Sequence, residues 1–351
     1  MCEVMKRYRI AAFFTVIYIL FLSCGTSQIN AAEYRTPVDM YKSVSALVLE
    51  GKYTEAETLA RQFSVDHPKD PAGPLFIAAV IQYAGTDYED DTRAEEFALL
   101  ISKAKTLAEW MLTADPADLR MQYYLASSQA LRGVWDVQNG SFMKGIMAGR
   151  NGAKGMAHIV KADSTFYDAY LMLGSYNFWK SIAVEKFDFL PFVNAKSPEG
   201  IATVEFAISK GKMTGDLSNT VFLEMLLEVD PLRAARYGEK FIRQYPSCRL
   251  FAWQLGEAYK KLNRFDDAVR VFTGIADSME SDADDDGSGQ LRCWWKLAVL
   301  ARDMGKMSEC VNYSTKVIEC GKKYSIEQKQ EVRMSGASEF LEELGEAQTS
   351  K

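Results

Sequence analysis

Leu255-Gly256-Glu257-Ala258-Tyr259, followed by Asn263-Arg264-Phe265 and then by Ala268 and Phe272, is the stretch whose reading decides the fold. Leu255, Gly256 and Tyr259 supply the packing face of a first helix. Asn263 opens a turn, and Ala268 is the small residue of a second helix that lets the two approach closely. A second stretch repeats the arrangement. Trp294, Leu297 and Ala298 lead to Gly305, Met307 and Cys310, and Gly305 lies 42 residues beyond Asn263.

Counting outward from Pro246 tests whether the whole chain is built this way. Unit ends fall at Pro68, Pro116, Ser164, Lys212, Pro246 and Glu280, in steps of 48, 48, 48, 34 and 34 residues. At the second-helix contact the units carry Ala56, Ala104, Gly152, Gly200, Ala234, Ala268 and Cys310, none of them large. The matching first-helix residues are Val44, Ala78, Ala126, Gly174, Phe222, Gly256 and Ala298, so only Val44 and Phe222 depart. A Cβ larger than a methyl at either place would push the helices apart, which is the reason for the restriction.

This pattern resembles the tetratricopeptide-repeat family, whose units are about 34 residues long, over residues 37–322. The resemblance implies an all-α, right-handed superhelical solenoid of about seven helix pairs. The solenoid domain is read over residues 33–347, with long repeats over 71–212 and regular ones over 37–70 and 213–322. A final amphipathic helix over 325–345 is expected to cap the stack with a polar outer face. Strand signals are scarce throughout.

The long repeats carry insertions between their paired helices: acidic Gly85 to Glu96; Gly133 to Gly145 with Trp135 and Phe142; and Lys180 to Ala195 with Phe187, Phe189, Pro191 and Phe192. Lengthened helix pairs with a taller, aromatic-filled core account for them. The alternative is a pocket or oligomer interface. Gly145, Gly149, Gly152 and Gly155 predict close helix packing or a kinked helix, and Arg150, Lys154, His158 and Lys161 form a basic stripe at helical spacing, read as a solvated face, with attraction of an anionic ligand or partner as the alternative.

At the amino terminus Lys6, Arg7 and Arg9 precede an apolar run from Ile10 to Leu22, so residues 1–31 read as an export signal. Two processing sites compete. Phe21-Leu22-Ser23-Cys24-Gly25 resembles a bacterial lipobox, with Cys24 the lipid attachment point and Phe21 departing from the usual aliphatic residue. The rival is cleavage after Ala31, and an uncleaved anchor is the third reading. The expected location is extracytoplasmic, in the periplasm or on the outer membrane through a lipid anchor.

With 48% hydrophobic and 25% charged residues the chain can bury a substantial core. Its net charge of −6 argues against nucleic-acid binding. Cys248, Cys293, Cys310 and Cys320 are spaced neither as a zinc site nor as a disulfide framework. The two histidines, His67 and His158, belong to a helix end and to the basic stripe. No nucleophile elbow, zinc-protease, phosphate-loop or dinucleotide-binding pattern occurs, so neither an enzyme nor a cofactor is predicted. Asp282-x-Asp284-x-Asp286-Gly287 matches the opening of a calcium loop, but the twelfth position, which should be a bidentate Glu, is Cys293. The competing reading is a solvated acidic loop.

In the family the inner face of the superhelix is lined by the first helix of each pair. The resemblance places Tyr41, Tyr123, Trp253 and Trp295 there, adds Phe178 and Trp179, and supplies cations at Arg120, Lys260, Lys261, Arg292 and Arg302. Rigid aromatic area beside Arg is what binding hot spots favour, so these residues make a candidate groove; several are equally suited to the core. The Lys and Asn pattern of chaperone-binding relatives is absent. The leading reading is an envelope scaffold that binds a protein or peptide, or a second copy of itself. The alternative is a transport-associated component that binds a small ligand or a solute-binding protein.

Overall fold

The computed structural model describes residues 36–138, 141–186 and 197–349. Residues 1–35, with the expected signal segment and Cys24, and Phe187, Phe189, Pro191 and Phe192 lie outside them. The described residues are all-helical. Their helices are α1 (Pro37–Leu49), α2 (Tyr53–Asp66), α3 (Ala72–Tyr88), α4 (Ala94–Ala114), α5 (Leu119–Gln138), α6 (Phe142–Ala162), α7 (Asp168–Lys186) and α8 (Ser197–Lys210), then, after a 3-10 turn at Asp216–Ser218, α9 (Asn219–Val229), α10 (Pro231–Gln244), α11 (Arg249–Lys261), α12 (Phe265–Glu280), α13 (Ser288–Asp303), α14 (Met307–Tyr324) and α15 (Glu331–Thr349). The helices follow one another in pairs from α1 to α14, and α15 comes last. The insertions lengthen the helices: α4 and α6 have 21 residues each, against 14 in α2.

The array divides into two compact units, one holding the chain up to Tyr83 with Asp91–Val229, the other holding Ala84–Asp90 with Asp230 onward. In the first unit, α1 starts on Thr36, whose side chain accepts the Asp39 N–H at 3.2 Å, with Pro37 at the first helical position. It ends at Gly51, whose φ of 74° lets the Lys52 N–H reach back to the Leu47 carbonyl at 2.9 Å.

The small-residue ladder works as the sequence implies. A Cβ on Gly200 would lie 2.8 Å from the Gly174 carbonyl oxygen and 2.7 Å from the Phe178 Cβ, so α7 and α8 touch backbone to backbone. A Cβ on Gly152 would meet the Ala126 carbonyl oxygen at 2.8 Å in the same way, joining α5 to α6.

The fifth unit departs for a structural reason. Every residue from Asn219 to Leu227 of α9 is buried, the mark of a helix enclosed on all sides rather than on one face. It packs on α7, α8 and the 3-10 turn, and that turn in turn meets α1. Phe222 therefore fills an all-round core, where the small-residue rule for a helix pair does not apply.

In the second unit α10 is capped by Asp230, which accepts the Arg233 N–H at 3.0 Å, with Pro231 next. The turns after α11 and α13 repeat the left-handed device of the first, at Asn263 (φ 57°) and Gly305 (φ 70°). Gly256 admits the Phe272 ring, which would lie 2.5 Å from an added Cβ. Cys310 packs with Ala298, Ala301 and Phe340, so its role is that of a small core residue. All four described cysteines are free and buried. No described helix is long and apolar enough to cross a membrane.

Candidate functional site

The site is assembled on the second unit from the first turns of α11 and α13, the acidic loop between α12 and α13, and the approach to α15. Arg249 and Trp253 stand one turn apart on α11. Arg292, from α13, lies over the Trp253 ring with its guanidinium carbon 4.0 Å from the centroid, a stacking that holds both groups in one orientation.

The last turn of α3 and the residues after it, Ala84-Gly85-Thr86-Asp87-Tyr88-Glu89-Asp90, sit against this set. The Trp253 indole N–H and the Arg249 guanidinium donate to the two oxygens of Asp87 at 2.9 and 2.8 Å, and Asp87 is wholly buried. Arg292 donates to the Thr86 carbonyl at 3.1 Å. The Tyr88 hydroxyl donates to Asp282 at 2.8 Å, and the Arg249 guanidinium lies 5.1 Å from the Tyr88 ring centroid. Arg333 pairs with Glu89, and Lys329 with Asp90 at 3.0 Å.

The segment's shape follows from its sequence. Glu89 takes the left-handed conformation (φ 57°) and the Asp90 N–H returns to the Gly85 carbonyl at 3.0 Å, a cap like the one after α1. Gly85 is required there, because an added Cβ would lie 2.6 Å from the Asp90 carbonyl oxygen.

Electrostatics match the geometry. Burial works to raise the Glu89 carboxyl, yet Arg333, Arg292 and Lys296 together hold it below its ordinary value. Beside it, burial again opposes ionisation of Glu257, and Lys296 and Lys260 outweigh it. Burial pushes the Tyr88 phenol up, so it stays a hydroxyl donor to Asp282. The face is thus cationic and aromatic, with its charges matched by carboxylates.

The sequence-predicted groove residues separate into three groups. Tyr41, Tyr123, Phe178 and Trp179 are buried in the first unit: Tyr123 packs on Phe166 with centroids 5.2 Å apart, and Phe178 meets Trp179 edge-on at 5.0 Å. Tyr41 lies 6.1 Å from Phe76, so these aromatics of first helices are core rather than groove. Trp295 and Arg302 hold α15 instead: Trp295 stacks on Phe340 at 5.2 Å, and Arg302 pairs with Glu343 at 2.7 Å. Trp253 and Arg292 alone converge on the site just described. Lys260 pairs with Glu257 at 2.7 Å along α11, and Lys261 and Arg120 lie at the surface.

The three aspartates of the calcium-loop pattern are engaged within the protein. Asp282 pairs with Arg249 at 2.8 Å and Asp286 with Lys329 at 2.9 Å, while Asp284 turns back on Asp282 through its backbone N–H. Among the described residues no three carboxylate, His or Cys side chains are grouped to hold a metal.

His67 ends α2, its N–H bonded to the Phe63 carbonyl at 2.9 Å. Arg150, Lys154, His158 and Lys161 are exposed, a solvated face as expected. Trp135 stacks on Phe97 at 4.1 Å within the core. Sequence reasoning missed Arg249, Lys329 and Arg333, and above all the segment they hold. The available signal was the acidic run of the first insertion, opposite in sign to the cations of the last two repeats and of the final helical segment.

No family model and no curated protein sequence matches the chain. Among solved structures it is similar to a Rap protein in complex with competence and sporulation factor, at 10% identity and a TM-score of 0.42, over 86% of this chain and 85% of that one. A likeness at this distance says nothing about ligand or activity.

Proposed function

We propose that this chain is an extracytoplasmic scaffold of the bacterial envelope, which holds a protein partner through the cationic, tryptophan-bearing face of its second unit. One observation carries the reading. That face already grips a seven-residue stretch of polypeptide, Ala84–Asp90, through Arg249, Trp253, Arg292, Lys329 and Arg333. A surface that recognises a main-chain carbonyl, a buried carboxylate and two flanking acids has the chemistry of peptide recognition. The location rests on the basic and apolar pattern of residues 1–31, and mass spectrometry of the mature amino terminus distinguishes acylation of Cys24 from cleavage after Ala31.

The test is site-specific photo-crosslinking in the native cell from a position beside Arg292. A partner crosslinked by the unaltered chain should be lost in Arg249→Glu with Arg292→Glu, and kept in Lys154→Glu on the solvated stripe. Partners indifferent to the first pair would refute the assignment of the face. The transport-associated reading gains no support from the described residues, where Trp135 is packed into the core.

A further inference from the structure

Three features of the second-unit site bear on what its partner looks like. First, side-chain charges dominate the grip on Ala84–Asp90: Asp87, Glu89 and Asp90 each meet a cation, and Tyr88 supplies the apolar ring. Charge-assisted bonds of this kind recognise the spacing of acids, not the chain that carries them. Second, two of the cations have a second carboxylate outside the segment. Arg249 also pairs with Asp282 at 2.8 Å, and Lys329 also pairs with Asp286 at 2.9 Å. If the segment leaves, Arg249 and Lys329 are not stranded, so the usual penalty for breaking a buried pair is reduced at those two residues. Third, Glu89 is held in the left-handed conformation, which a glutamate adopts at a cost and sheds on release.

Resting on the peptide-binding reading above, we infer that this face is a site for acidic, aromatic peptide of the pattern Asp-Tyr-Glu-Asp at a helix end, and that Ala84–Asp90 is its resident occupant, which a partner peptide must displace. The scaffold is then self-occupied when alone. Arg249 and Trp253 read the first acid, Arg333 and Lys329 the last two, and Asp282 accepts from the intervening phenol. A basic or purely apolar peptide has no place in this arrangement.

The experiment uses a fluorescent peptide carrying residues 82–91 behind an alanine-rich helical leader, read by anisotropy against the full chain. Asp87→Asn with Tyr88→Phe loosens the resident segment, and this variant should bind the peptide at least tenfold more tightly than the unaltered chain. Adding Arg249→Gln should abolish binding, and a scrambled peptide should not bind. Equal affinity for the unaltered and loosened chains, or no binding to either, overturns the proposal. Should the loosened chain fail to fold by circular dichroism, hydrogen exchange on the unaltered chain decides: excess peptide should remove protection from amides 84–90 and leave α12 unchanged, and unchanged protection at 84–90 refutes displacement. If crosslinking still depends on Arg249 and Arg292 while the peptide fails, the self-occupied site falls and the scaffold reading stands.

Discussion

Two glycine-to-alanine changes in the first unit should move its stability in opposite directions. Gly149 and Gly200 are both helical, on α6 and α8. Alanine is the better helix former at either by about 0.5–1 kcal/mol. At Gly149 a Cβ would meet only the Tyr176 ring, 3.8 Å away, an ordinary contact. Gly149→Ala should therefore stabilise by most of that propensity gain. At Gly200 the Cβ would lie 2.7 Å from the Phe178 Cβ and 2.8 Å from the Gly174 oxygen. Neither neighbour is the loose end of a flexible side chain, so α7 and α8 must separate. Overpacking of this kind costs about 1–3 kcal/mol, and the larger figures apply where backbone meets backbone. After the propensity gain, Gly200→Ala should destabilise by roughly 1–2 kcal/mol. Urea unfolding followed at 222 nm, with both variants beside the unaltered chain, reads the difference as a shift in midpoint at constant slope. A Gly200→Ala protein as stable as Gly149→Ala would refute the claim that the repeat ladder is set by helix approach.

Asp285 accepts N–H groups of Gly287, Gly289 and Gln290 at 3.1 Å each, yet its burial pushes the carboxyl up to about 6 from an ordinary 3.8. A raised carboxyl favours the fold while protonated, so its contribution is fullest below pH 3.8 and is lost as the pH rises through 6. That shift of about two units corresponds to roughly 3 kcal/mol; the stability gap between the unaltered chain and Asp285→Asn should move by that order between pH 4 and 7, and a pH-independent gap would count against it. Phe222→Ala should cost about 3–5 kcal/mol because the helix it anchors is enclosed on all sides, measured by urea midpoint; a loss under about 1 kcal/mol would mean that the site collapses readily around the change. Calorimetric titration with millimolar calcium should give no heat, since Arg249 and Lys329 already occupy Asp282 and Asp286; saturable heat lost in Asp284→Asn would restore a metal site.

Much of the fold was legible because its signal is local and repeated. A small residue recurring at fixed spacing marks where two helices touch, and Gly174, Gly200, Gly152 and Cys310 touch as that spacing implies. Gly51, Asn263 and Gly305 mark turns that need a left-handed residue, and all three have positive φ. Glu89 does the same work after α3 without the residue type that would have announced it.

The site was far less legible. An aromatic on the inner side of a first helix reads identically whether the superhelix stands open or closes on itself, so Tyr41 and Tyr123 could not be told from Trp253 by position. All three are buried, and their partners separate them: Tyr41 lies near Phe76 and Tyr123 near Phe166, whereas Trp253 meets Asp87 and Arg292. The acidic insertion and the cations that hold it are separated by more than 160 residues along the chain, Arg249 and Asp87 by 162. No periodicity links them. The sequence by itself determined the helix pairs, because adjacent helices are joined by short turns and their contacts obey one steric rule. Only the tertiary structure decided what fills the second unit's inner face, because opposite charges meet wherever the fold brings them together, and their order along the chain carries no trace of it.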